Sequence, residues 1–266
     1  VSEALADEAT IQWYPGHMAR AIRRLAEDVR AIDVVVEVSD ARVPLSGTNP
    51  ALAKLAGSRP RLLLLSRAHL ADAKATAQWL EWFAARGRPA IAADVKDRGG
   101  AAQLRAAVEA LAGSRRTARA IVLGIPNAGK STAINAIVGR NVARAEDRAG
   151  VTRARQWFRV GASLEIMDTA GILVPKIDTP EAQWKLALVG AVPRARFDAE
   201  DVVARFHRWL VARDPATSVP DLETFAQSRG FVRRGTMLDT HNAAWSYIKD
   251  WSDGKFGRMT LELPAA

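Results

Sequence analysis

Gly124-Ile125-Pro126-Asn127-Ala128-Gly129-Lys130-Ser131 is the stretch that decides the fold. It satisfies the G-x-x-x-x-G-K-[ST] pattern of a phosphate-binding loop, with an apolar strand before it (Ala120, Ile121, Val122, Leu123) and a helix-compatible run, Thr132 to Val138, after it. The glycines let the loop backbone at Pro126-Asn127-Ala128-Gly129 and the helix start at Thr132 turn around a polyphosphate, and each of these residues except Pro126 offers an N–H. Lys130 reaches the outer phosphates, and the Ser131 hydroxyl is a ligand for Mg²⁺. The helix start adds its positive end. Strand, loop and helix in register imply a bound nucleotide.

Downstream, Asp147 to Thr152 is a polar turn carrying a threonine, followed by short strands at Gln156 to Val160 and Ser163 to Met167. The second ends in Asp168-Thr169-Ala170-Gly171. After a phosphate loop, an acidic strand end supplies the Mg²⁺ shell and Gly171 offers a backbone N–H to the γ-phosphate. Upstream, strands are expected at Ile32 to Val38, Arg61 to Ser66 and Pro89 to Ala93, alternating with helices at Ala51 to Ala56, Ala73 to Ala85 and Gln103 to Ala112. Such alternation predicts an α/β fold with a doubly wound, mostly parallel sheet and ligands at the carboxyl ends of its strands. From Pro180 the pattern turns helical, with segments at Trp184 to Val189, Ala199 to Val211, Pro220 to Gln227 and Asn242 to Trp251. The expected organisation is therefore a leader and helix over 1–30, the nucleotide domain over 31–192 and a small α-helical domain over 193–266.

The 266 residues have 48% hydrophobic and 25% charged content, an ordinary soluble composition with room for a core. Cysteine is absent, which excludes disulfides, thiol catalysis and cysteine-bound zinc, and the four histidines are scattered. No apolar run is long enough to span a membrane and no secretory signal opens the chain, so a cytoplasmic location is expected. The net charge of +9, gathered at Arg20, Arg23, Arg24, at Arg115, Arg116, Arg119, at Arg153, Arg155 and at Arg233, Arg234, points to RNA as a partner.

The order of motifs is unusual. A GTPase sheet normally begins with its phosphate loop, yet here three strands precede it and little sheet follows Asp-x-x-Gly. A complete sheet then requires circular permutation, with the guanine-reading motif ending the second strand and a companion base loop following the third. At this point the chain resembles the ribosome biogenesis GTPase A family. The resemblance rests on Ile11 to Ala19, Asp40-Ala41-Arg42 with Asn49-Pro50, Gly124 to Thr132, Gly150-Val151-Thr152, Gln156-Trp157, Asp168 to Leu173 with Pro175-Lys176, Leu186 to Gly190 and Lys255 to Arg258.

This likeness implies a cytoplasmic GTPase acting in maturation of the large ribosomal subunit, binding its precursor RNA and proteins partly through the helical domain; a monomer with no membrane partner is expected. By the same likeness, Ser131, Thr152 and Asp168 hold Mg²⁺, Gly171 completes the γ-phosphate shell, and Asn127 helps hold K⁺. His17, at a helix start after Pro15-Gly16, takes the part of a water-orienting residue, because Ile172 stands where many GTPases place glutamine. The chain departs from the family at the base. Ser66-Arg67-Ala68-His69 replaces Asn-Lys-x-Asp, and Asp94-Val95 replaces a Ser-Ala-like loop. A carboxylate accepts two hydrogen bonds from guanine whereas a neutral imidazole accepts one, so Asp94 is the candidate replacement. A relaxed-specificity NTPase and an RNA-binding factor with vestigial hydrolysis remain as alternatives.

Overall fold

The computed structural model describes residues 29–113, 117–139, 156–162, 164–168, 177, 179–233 and 237–265. A 3₁₀ turn at Val29–Ala31 leads into β1 (Val34–Asp40), followed by α1 (Pro50–Ala56), β2 (Arg61–Ser66), α2 (Ala73–Ala84), β3 (Ala90–Ala93), α3 (Arg98–Ala112), β4 (Ala118–Gly124) and α4 (Lys130–Val138). Then come β5 (Gln156–Val160) and β6 (Leu164–Asp168), and four helices, α5 (Pro180–Leu188), α6 (Ala199–Arg213), α7 (Leu222–Ser228) and α8 (Thr240–Ser252).

The six strands lie in the order β3-β2-β1-β4-β6-β5. All neighbours are parallel except the β5–β6 pair, whose short hairpin connection makes it antiparallel. β1 is central and buried at every position, which explains its nearly continuous apolar run. Its one carboxylate within that run, Glu37, accepts from Asn49 N–H at 2.9 Å and from Arg88 Nη2 at 2.6 Å, so the buried charge is paired. Under β2, Trp79, Phe83 and Leu63 build an aromatic-aliphatic core.

Several elements differ from the sequence expectation for physical reasons. The first strand runs to Asp40, not Val38, because Ser39 and Asp40 keep the ladder register with Leu65 and Ser66. Helix α3 starts at Arg98, five residues before Gln103. Its two glycines lower helix propensity, but Asp97 caps it by accepting from Gly100 N–H at 2.6 Å. At the end of the expected leader and helix over 1–30, the described part is a 3₁₀ turn, Val29–Ala31; the remainder of that segment lies outside the described residues.

Compact units also divide differently from a break at 193. The helical unit begins at Ile177 and closes at Arg258, and the tail from Met259 belongs with the sheet unit. Trp184 of α5 meets Trp209 of α6 at 6.1 Å between ring centroids, which is why α5 groups with the helices after it. That unit is filled by Phe206, Tyr247, Phe225, Trp251 and Phe256, with the Tyr247 and Phe256 rings 4.7 Å apart. Buried Asp250 accepts from Arg229 at 2.8 Å and Lys255 at 2.6 Å. Among the described residues no helix is long and apolar enough to cross a membrane.

The tail is bonded to the sheet unit. Met259 N–H donates to Leu70 O at 3.0 Å and Leu261 N–H to Arg42 O at 2.8 Å. The Glu262 carboxylate accepts from Leu45 and Ser46 N–H, and Trp79 Nε1 donates to Glu262 O. The loops after β1 and β2 are thus held by residues from the far end of the chain.

Candidate nucleotide site

The phosphate loop links β4 to α4. Gly124 has φ of 149°, and a Cβ there would lie 2.2 Å from Val38 O of the neighbouring strand, so only glycine fits. Asn127 sits in the left-handed region at φ 58°, a conformation Asn tolerates better than most side chains. Lys130 is buried and its ammonium donates to Ile125 O at 2.8 Å. Burial pushes its pKa down to about 8, while the Asp168 carboxylate works in the opposite direction. Asp168 ends β6 in register with Val122, two residues before Gly124, which brings an acidic strand end beside the lysine.

The loop is braced from the base side. Ser66 Oγ donates to Ala128 O at 2.6 Å and lies 3.1 Å from Ser39 O. Arg67 has left-handed backbone, φ 55°, and its guanidinium bridges Asn127 O at 2.8 Å and the Asp40 carboxylate at 3.0 Å. Asp40 is buried and also receives Arg42 through Nε and Nη2 at 2.9 and 2.8 Å. Burial by itself would raise the Asp40 pKa, but the charges and hydrogen bonds of Arg42, with Arg67, hold it below the usual carboxylate range. Two residues on, His69 Nδ1 lies 2.8 Å from Asp94 Oδ2.

A family model described as 50S ribosome-binding GTPase matches residues 119–207, starting at the phosphate-loop strand. The ribosome biogenesis GTPase A of Bacillus cereus is 34% identical over 96% of this chain and 94% of its own length. That of Thermotoga maritima is 30% identical over 96% and 95%. The chain belongs to the ribosome biogenesis GTPase A family. Solved structures agree: GDP-bound YlqF is 29% identical, covering 91% of this chain and 99% of that one, with a TM-score of 0.73. A GNP-bound structure of YlqF from T. maritima, 28% identical, covers 92% and 98% with the same TM-score of 0.73.

Membership in this family makes the fold a circularly permuted GTPase fold and the chain a GTPase of ribosome assembly. The structure brings together Pro126, Asn127, Ala128, Gly129, Lys130, Ser131 and Thr132 on the loop and first turn of α4, with Asp168 at the adjacent strand end. It also joins Ser66 and Arg67 to that loop, and His69 to Asp94. His17, Thr152 and Gly171 lie outside the described residues. Sequence reading singled out Asp40 and Arg42 only as a family motif. Their work here is to anchor Arg67, and the signal was available in the Asp40-Ala41-Arg42 spacing at a strand's carboxyl end.

Proposed function

We propose that this chain is a Mg²⁺-dependent GTP hydrolase that serves as an assembly switch on the precursor of the large ribosomal subunit. The observation that carries it is the buried Lys130 ammonium within the glycine-braced loop, beside Asp168. A buried cation whose charge is disfavoured by desolvation gains most when anionic phosphate oxygens come to it.

Ser131, at the second position of α4, and Asp168, at the end of β6, offer the hard oxygen donors that suit Mg²⁺, with Thr152 as a third candidate. The ion supplies charge neutralisation on the phosphate oxygens when bound. Asn127, whose backbone the Arg67 guanidinium holds, is the candidate for a K⁺ ligand. Lys130 orients the outer phosphates, the loop N–H groups enclose them, Gly171 senses the γ-phosphate, and His17 positions the attacking water. Ordering of Thr152 and Gly171 by triphosphate is the switch. Exposed arginines of the helical unit, Arg194, Arg196, Arg208 and Arg213, favour an RNA contact for that unit. The protein acts as a monomer in the cytoplasm.

The test is sedimentation of the protein with large-subunit precursors in GTP analogue, GDP or no nucleotide, in K⁺ and in Na⁺. Triphosphate-dependent binding that Lys130→Ala removes is the expected result. Binding equally dependent on nucleotide in the variant would refute the switch.

A further inference from the structure

Within the base side of the site, Asp94 does not stand alone. Its Oδ2 is 2.8 Å from His69 Nδ1, and its Oδ1 accepts from Lys96 N–H at 3.3 Å. A carboxylate only accepts, so Nδ1 carries a proton, and in the neutral ring the other nitrogen, Nε2, keeps its lone pair. Gly100 fixes this arrangement from behind. A Cβ at position 100 would lie 2.1 Å from Asp94 O, so the loop carrying Asp94 rests directly on the first turn of α3.

The pair stands at the carboxyl ends of adjacent strands, where open parallel sheets bind ligands. Ser66 is in register with Ala93, which places His69 three residues beyond one strand end and Asp94 immediately beyond the other. Ser66 and Arg67 hold the phosphate loop by its Ala128 and Asn127 carbonyls, so the segment leading to His69 starts at that loop. The His69 side chain is 45% exposed and so open to a ligand.

We infer that the purine is read by one acceptor, His69 Nε2, with Asp94 as the positioning residue that sets the imidazole tautomer. This rests on the GTPase reading and sharpens its substrate preference. Guanine and hypoxanthine both present an N1–H donor, whereas adenine presents a lone pair at N1. An acceptor opposite N1 therefore takes guanine and hypoxanthine and is repelled by adenine. Guanine's 2-amino group, which the second oxygen of a carboxylate would take, goes unread. The site discriminates by one contact where its relatives' motif supplies two.

The test is competition of GTP, ITP and ATP, each with Mg²⁺, against a fluorescent GDP on the full chain at pH 8. Expected are GTP and ITP affinities within fivefold of each other and both at least tenfold above ATP. Asp94→Ala frees the ring to take the other tautomer, and because the pair is partly exposed the GTP-to-ATP ratio falls by only about fivefold. His69→Asp restores a two-oxygen acceptor and pulls GTP more than fivefold above ITP. A merely structural pair would weaken all three nucleotides together and leave the ratios unchanged. GTP more than fivefold above ITP in the unaltered protein, or ATP equal to GTP, overturns the inference while leaving nucleotide binding intact. Binding of none of the three overturns the GTPase reading and this inference with it.

Discussion

Lys130 imposes a pH dependence on stability that a single substitution should erase. Its ammonium is held by Ile125 O but buried, which pushes its pKa to about 8 from an ordinary 10.5. A depressed lysine destabilises the fold wherever the unfolded chain binds its proton more readily than the folded one. Below pH 8 the full cost applies, roughly 3 kcal/mol for a shift of this size. Between pH 8 and 10.5 the folded protein has released the proton, the unfolded chain still holds it, and the cost shrinks. Working the two titrations through gives a gain of about 1.3 kcal/mol in unfolding free energy between pH 7 and pH 9. Lys130→Met keeps an unbranched side chain one atom shorter and removes the titration, so its gain over that interval should be smaller by that amount. Urea denaturation of both proteins at pH 7, 8 and 9, without nucleotide, reads the difference directly. Parallel pH slopes in the two proteins would refute the buried-cation account. Triphosphate oxygens should restore the ammonium, so calorimetry at pH 9 in buffers of different ionisation enthalpy should show proton uptake on binding.

Other expectations follow from single contacts. Gly124→Ala drives a methyl group to 2.2 Å from Val38 O at a φ of 149°, so thermal unfolding should show more than about 2 kcal/mol of lost stability together with lost GTP binding. Asp40→Ala strips the partner from buried Arg42 and should cost about 3–5 kcal/mol by urea titration. Because the Asp40 pKa is lowered, its stabilisation is complete above the unfolded value of about 3.9 and is lost as pH falls below it, so acid titration of Asp40→Asn should be shallower there than that of the unaltered protein. Ending the chain after Arg258 removes the buried Leu261 and the acceptors on Glu262, a loss of about 3 kcal/mol in the sheet unit.

The phosphate half of the site was legible because its chemistry is local. Gly124 to Ser131 names its own strand, turn and helix, and the permuted strand order follows from where that block falls in the chain. The base half was legible only as a departure. Sequence put His69 and Asp94 both at the base, with Asp94 as a replacement carboxylate, but nothing in spacing says that two loops 25 positions apart share a hydrogen bond; adjacency of β2 and β3 does. The start of α3 was hidden by Gly99 and Gly100, of which Gly100 is needed for close packing on Asp94 rather than for helix propensity. The break at Ile177 was missed because Pro193 looks like a boundary, whereas the tryptophan contact across it is invisible to composition.

The tail from Met259 also has a consequence for synthesis. The Leu45 and Ser46 amides wait for a carboxylate 217 and 216 residues away, and Asp72 N–H for a hydroxyl 188 away. Every residue of the helical unit from Ile177 to Arg258 is made before those contacts can close. The ends of β1 and β2, which brace the phosphate loop and carry His69, therefore reach their final hydrogen bonding only after the helices exist. A nascent chain would hold a paired sheet with a loosely closed nucleotide site, and long-range closure of this kind is slow. Competence to bind nucleotide would then follow the helical unit, making it a report that this unit has been made.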